Sequence, residues 1–159
     1  MAKKSGFIPL WSDKDVESWF SYFSDRAEEK IYLLLQRAGE EFVKIAREKG
    51  KYTDHTGNLR SSIGYVIALD GKILSENFAL SDKGTDKVTG KQRAIHLAGE
   101  IARLYNKGFA LIGVAGMQYA AIVEAMENKD VISTAGIKAE EYIIKQSKKL
   151  FDKLSEKGY

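Results

Sequence analysis

At 159 residues, 44% hydrophobic and 30% charged, the chain has the length of one domain and enough apolar side chains to bury a core. A formal charge of +3 is a smaller basic excess than dedicated nucleic-acid-binding domains carry, and no apolar run reaches the roughly 18 residues of a membrane helix. The absence of cysteine excludes disulfides, thiolate metal sites and cysteine nucleophiles, and fits a soluble chain that folds in a reducing cytosol.

Residues 1–12 read as a flexible, basic N-terminal segment whose short apolar stretch, Phe7-Ile8-Pro9-Leu10-Trp11, is too brief for a secretory leader. Ser12 followed by Asp15 signals a helix start, because a hydroxyl and a carboxylate both suit the free amides of a first turn. From there Val16, Trp19, Phe20, Phe23, Ala27, Ile31, Leu34, Leu35, Ala38, Phe42, Ile45 and Ala46 recur at helical spacing. The pattern predicts one long amphipathic helix, or two with a break near Ser24 or Gly39, closed by Gly50. A polar loop over 51–58 follows. The strand pattern Ile63-Gly64-Tyr65-Val66-Ile67-Ala68-Leu69, the turn Asp70-Gly71 and the returning Lys72-Ile73-Leu74-Ser75-Glu76-Asn77-Phe78 predict a hairpin.

Residues 81–90 are almost without apolar side chains and read as a mobile loop. A helix is predicted over 93–106, closed by Gly108, and a buried strand over 109–115. A short helix over 119–126 and an extended piece over 130–132 precede a final helix capped by Ser133 or Thr134. That helix puts Ala139, Tyr142, Ile143, Leu150 and Leu154 on one side and exposes Lys138, Lys145, Lys148, Lys149 and Lys153. The expected architecture is a single α+β domain: a long N-terminal amphipathic helix, a small, mostly antiparallel sheet with a β-hairpin, and additional helices including a C-terminal one.

Several patterns mimic chemistry. Gly84-Thr85-Asp86-Lys87-Val88-Thr89-Gly90-Lys91 has five residues between its glycines and Gln92 after its lysine, so it lacks the spacing that wraps amides around a phosphate. His96 and Glu100 lie one helical turn apart, but a metal site needs further ligands, and the other histidine is His55 in a loop; a surface imidazole–carboxylate contact is the plainer reading. Asp54-His55 with Ser61 or Ser62 has a triad's residue types and nothing that fixes a triad's geometry. Gly113-Val114-Ala115-Gly116 lacks the third spaced glycine of a dinucleotide site and reads as close backbone packing. The aromatic residues from Trp11 to Phe23 fit a core or a subunit interface better than a base-stacking platform. No cofactor and no metal are expected, and no catalytic motif stands out.

Two segments carry a family resemblance: Thr56, Gly57, Leu59, Arg60, Ser62 and Ile63 at the helix-to-strand junction, and Tyr119, Ala120, Val123 and Glu124 further on. A Thr-Gly-x-Leu-Arg-x-Ser-Ile segment followed by a Tyr-Ala-x-x-Val-Glu segment resembles the head-tail joining and tail-completion proteins of long-tailed bacteriophages and prophages. The order of elements agrees over residues 15–154. The chain departs from many relatives after Glu124, where a Gly-Thr and a proline-containing stretch are replaced by Ala125-Met126-Glu127-Asn128-Lys129-Asp130-Val131, and at 83–107, which has the character of an inserted loop and helix. The resemblance implies a non-enzymatic virion structural protein, assembled in the host bacterial cytoplasm and positioned at the neck. Its partners would be copies of itself in a ring, the portal or connector, and tail-tube or tail-terminator proteins, with no membrane and no nucleic acid beyond DNA in passage. On this reading the interface candidates are Trp19, Phe20 and Phe23 on the first helix and Lys83, Thr85 and Lys87 on the loop. The alternative is a small nucleic-acid-binding module using the basic C-terminal helix; a metal-dependent hydrolase built on His55 or His96 is a third class.

Overall fold

The computed structural model describes residues 12–48, 54, 56–116 and 132–156. The chain divides into two compact units, Met1–Ile31 and Tyr32–Tyr159. Among the described residues the elements are α1 (Asp13–Glu48), α2 (Asn58–Ser61), β1 (Ile63–Leu69), β2 (Lys72–Asn77), α3 (Val88–Leu104), β3 (Phe109–Ala115) and α4 (Ser133–Glu156). The architecture is α+β, with a three-stranded antiparallel sheet in the order β2-β1-β3. The expected closing Gly50, the short helix over 119–126 and all but Ile132 of the extended piece at 130–132 lie outside the described residues.

Helix α1 begins as its sequence predicts. Asp15 accepts from both the amide (2.7 Å) and the hydroxyl (2.8 Å) of Ser12, while the Asp15 amide donates back to Ser12 Oγ at 3.3 Å, a reciprocal cap of the first turn. These bonds favour the ionised carboxylate and hold Asp15 below its ordinary pKa. The helix is unbroken through Ser24 and Gly39. Gly39 is there for contact, since a Cβ on it would lie 2.6 Å from the Tyr65 ring.

In the second unit the sheet is covered on both faces. Strand β1 is central and buried from Ile63 to Ala68, because both of its edges are paired and alternate residues face different helices. On one face Ile63 packs with Phe42, Ile45 and Ala46 of α1, Leu59 of α2, and Ala135 and Ala139 of α4. On the other, Val66, Ala68, Ile112 and Val114 meet Phe78 and the α3 alanines Ala94, Ala98 and Ala102. Three alanines one turn apart give α3 a flat stripe that sits close to the strands. Strand β2 is a largely exposed edge, and the register against β1 slips by one residue where Leu74 is extra, a β-bulge.

The Asp70-Gly71 turn forms as expected. Both residues have positive φ (50° and 79°), which matches the right-handed twist of the flanking strands. A second turn docks on it: Gly108 donates to Asp70 Oδ1 (2.7 Å) and the Asp70 amide donates to the Gly108 carbonyl (3.0 Å).

One buried polar group ties α1 to the sheet. Tyr65 donates its hydroxyl to Glu40 Oε1 at 2.8 Å, and the Asn77 side-chain Nδ2 donates to the same oxygen at 2.7 Å. Burial of the phenol, followed by its hydrogen bond to Glu40, pushes Tyr65 up to about 12. The folded state therefore holds this proton more tightly than the unfolded chain, whose tyrosines titrate near pH ~10. The resulting stability is fully present below that value and is lost as pH rises towards 12. Chemical denaturation of wild type and Tyr65→Phe checks this. Their difference in stability stays constant below pH ~10 and changes above it; a difference flat across that range rejects the assignment.

Candidate functional site

A cluster of hydrogen bonds between residues far apart in sequence converges on the segment 54–63, between α1 and β1. Asp54 organises it. Its carboxylate accepts the amides of Gly57 (3.0 Å), Leu59 (3.3 Å) and Arg60 (2.8 Å), satisfying the open N-terminus of the short helix α2. Thr56 Oγ1 accepts the Asn58 amide at 3.2 Å. Gly57 turns the chain at φ 79°, and a Cβ there would lie 2.2 Å from the Lys83 carbonyl oxygen. Leu59 and Ile63 enter the core, and Ser62 spans the exit of the turn, donating its hydroxyl to the Leu59 carbonyl at 2.8 Å.

Segment 81–90 returns to this junction. Ser81 is buried and donates its amide to Ser61 Oγ (2.8 Å), and the Asp86 amide donates to the Thr56 carbonyl (3.0 Å). Asn58, itself buried, accepts the amide of Gly90 at 2.7 Å. The Asn58 side chain also hydrogen-bonds Asp86 and holds that carboxyl below its usual range, with further help from Thr89. This remote capping explains why α3 starts at Val88 rather than at 93 as its sequence suggests: a first-turn amide is satisfied by a side chain thirty-two residues earlier in the chain. Gly84 at φ 111° and Gly90 both lie too close to the junction backbone for a side chain, with a Cβ 2.1 Å from the carbonyl oxygens of Thr56 and Asn58 respectively.

Arg60 extends the junction to α1, its guanidinium donating to the carbonyl of Arg47 in the last turn of that helix. Arg47 in turn donates to the Leu80 carbonyl at 3.3 Å. A cation at the carbonyl end of a helix is favourable both as a hydrogen-bond donor and against the helix dipole. Arg60→Ala is expected to cost about 1–2 kcal/mol of unfolding free energy, as for a charged hydrogen bond at a helix terminus. Thermal and urea unfolding measure it, and an unchanged stability removes Arg60 from the junction.

The residues read from the sequence therefore fall into two groups. Thr56, Gly57, Leu59, Arg60, Ser62 and Ile63 are brought together, and of these only Thr56 is well exposed. Tyr119, Ala120, Val123 and Glu124 lie outside the described residues, as do His55 and Trp11. Ser61 and Ser62 are fully buried, with their hydroxyls engaged as described, and Asp54 is occupied by three amides, which leaves no free nucleophile–base pair among them. His96 and Glu100 form a solvent-exposed contact at 3.7 Å. Among the described residues no group of three or more His, Asp or Glu side chains has the arrangement of a metal site. Gly113 faces the Phe42 ring, and Gly116 packs on the Ala94 backbone with its amide on the Ser62 carbonyl. Both glycines serve close packing.

Asp54, Asn58, Ser61, Gly84 and Gly90 complete the junction; Asp54 and Ser61 stood out in the sequence only in a triad-like pattern, Gly84 and Gly90 only in a phosphate-loop-like one, and Asn58 in neither. Asp54 carried the one usable signal, an acidic residue just before a possible helix start. A shallow apolar groove of about 470 Å³ is lined by Phe42, Tyr65, Leu111, Gly113, Ile132 and Ile143, among others.

The loop candidates Lys83 and Thr85 are exposed, whereas Lys87 is half-buried and donates to the Asp82 carbonyl at 3.1 Å. In the first unit the helix candidates present a different surface. Trp19, Phe20, Tyr22 and Phe23 are 61%, 71%, 63% and 42% exposed, so these aromatics are not core. Tyr22 lies under Arg26, whose guanidinium donates to the phenol oxygen at 2.9 Å and sits 5.3 Å from the ring centre. Comparison with protein-family models, curated proteins and solved structures gave no match to this chain.

Proposed function

We propose that this protein is a structural assembly component of a long-tailed phage or prophage, placed at the head–tail junction and acting through protein–protein contacts without catalysis. The observation that carries the reading is the pairing of a family-like motif with an exposed aromatic surface. The motif residues from Thr56 to Ile63 are used internally, to join a helix to a sheet and to seat the 81–90 segment. The large exposed side chains Trp19, Phe20 and Phe23 stand on a different part of the chain. A surface that leaves several adjacent aromatics in water is characteristic of interaction sites, where such residues supply most of the binding energy. The expected partners are further copies of the chain in a ring, the portal or connector, and the tail-tube or tail-terminator protein, with assembly in the host cytoplasm and residence in the virion neck. Ring subunits meet through head-to-tail contacts that close.

The test is genetic complementation. Removing the gene from its parent phage is expected to leave filled heads and tails unjoined; the wild-type gene should restore infectious particles, and a Trp19→Ala/Phe20→Ala double variant far fewer. Normal particles in the absence of the gene would overturn the proposal.

One observation favours the nucleic-acid alternative: Lys138, Lys145, Lys148, Lys149 and Lys153 are all exposed on α4. Lys138 is partly neutralised by Glu141 at 3.0 Å. Binding by this face would weaken steeply between about 50 and 200 mM salt. Absence of any salt-dependent binding to duplex or single-stranded DNA removes this reading.

A further inference from the structure

We propose that two copies of this chain pair in antiparallel orientation through residues 13–31 of α1. The proposal names the occupant of the exposed aromatic face in the free chain, a two-fold pair that must part before the face serves head-to-tail ring contacts; it rests on the assembly reading only in treating that face as an interface. Val16, Phe20, Phe23 and Ala27 are four, three and four residues apart, the alternation that keeps one seam of a helix facing a second helix. Phe20 and Phe23 at the centre of this seam are exposed, and Val16 and Ala27 are half-buried.

The ends of the seam select the orientation. Asp13 and Lys30 occupy the next seam positions in either direction, and both are exposed. In an antiparallel pair with Phe20 opposite the copy's Phe23, Val16 lies opposite Ala27 and each Asp13 opposite a Lys30, so the apolar centre is closed at both ends by opposite charges. A parallel pair in register places Asp13 against Asp13 and Lys30 against Lys30, which is repulsive at both ends. The segment carries Asp13, Asp15, Glu17, Asp25, Glu28 and Glu29 against Lys14, Arg26 and Lys30, a net −3 (six acidic against three basic). Without an ordered placement of its cations such a segment would repel its copy; of the three, Lys30 lies on the seam and Arg26 on its edge.

Sedimentation velocity over a range of protein concentrations tests the pairing. The wild-type chain is expected to show a reversible monomer–dimer equilibrium. Lys30→Asp should raise the dissociation constant at least ten-fold, and Asp13→Lys/Lys30→Asp should restore it, because the swapped charges again face opposite partners. Both substituted positions are exposed on the helix, and unchanged circular dichroism shows that the fold is intact. Because the chain has no cysteine, single variants report contact cleanly. A mixture of Val16→Cys and Ala27→Cys should oxidise to the mixed disulfide faster than either variant alone oxidises to its own. A chain that stays monomeric at every concentration, a dimer indifferent to Lys30→Asp, or preferential Val16→Cys self-coupling each overturns the proposal. None of these outcomes decides the head–tail reading, which rests on where the protein sits in particles.

Discussion

Gly84→Ala is expected to destabilise the protein by about 3 kcal/mol or more, one of the two largest effects of any single change at the junction. Two independent causes act at this position. Gly84 has φ 111°, a backbone conformation an alanine adopts only with strain, and the added Cβ would lie 2.1 Å from the Thr56 carbonyl oxygen. Neither is relieved by a side-chain rotation, because the obstructing atom is backbone. Relief requires 81–90 to lift from 54–63, which releases the Asp86 amide from the Thr56 carbonyl. Gly99→Ala is the internal control. It lies within α3 with nothing within 4 Å of its Cβ position, so the same substitution there is neutral or stabilising by up to about 1 kcal/mol through helix propensity. Urea denaturation of the two variants measures the contrast, and equal stabilities would contradict the placement of segment 81–90.

Asp54→Ala is expected to cost about 3 kcal/mol, since the change removes the acceptor of three amides at once and leaves part of that donor set buried. The Leu59 amide lies in a core residue that water does not reach, so water does not replace the lost oxygen there. Asp54→Asn keeps one carbonyl oxygen and should recover part of the loss. The loss should also be accompanied by faster amide exchange at Gly57, Leu59 and Arg60, which separates loss of the cap from a diffuse effect on the fold. If Asp54→Ala unfolds at the wild-type urea concentration, the cap contributes nothing and α2 is held by packing alone.

How much of this was legible beforehand follows from the range of each interaction. The Ser12 and Asp15 cap and the Asp70-Gly71 hairpin turn depend on neighbours a few residues away, and their sequences announce them. The start of α3 depends on Asn58, which no local pattern connects to Gly90. The centrality of β1 likewise depends on β3 pairing along its free edge, a contact made forty or more residues later in the chain. The aromatic stretch illustrates a different ambiguity. Helical spacing of Trp19, Phe20 and Phe23 says that they share a side of α1; whether that side meets the protein's own core or another molecule is set by what lies opposite. In the structure these residues are exposed, while Leu35, Ala38, Phe42, Ile45 and Ala46 further along the same helix are buried. The junction motif shows the same division, since its residue types were visible and their partners on 81–90 were not.

The measurement that bears most directly on the account is the position and copy number of the protein in purified particles, by electron microscopy of the neck with mass-spectrometric counting. The account predicts a ring of this chain between portal and tail, with residues 13–31 of α1 against neighbouring protein and the Thr56–Ile63 junction folded as in the free chain. A protein absent from every particle, or found bound along the packaged DNA through α4, would contradict it.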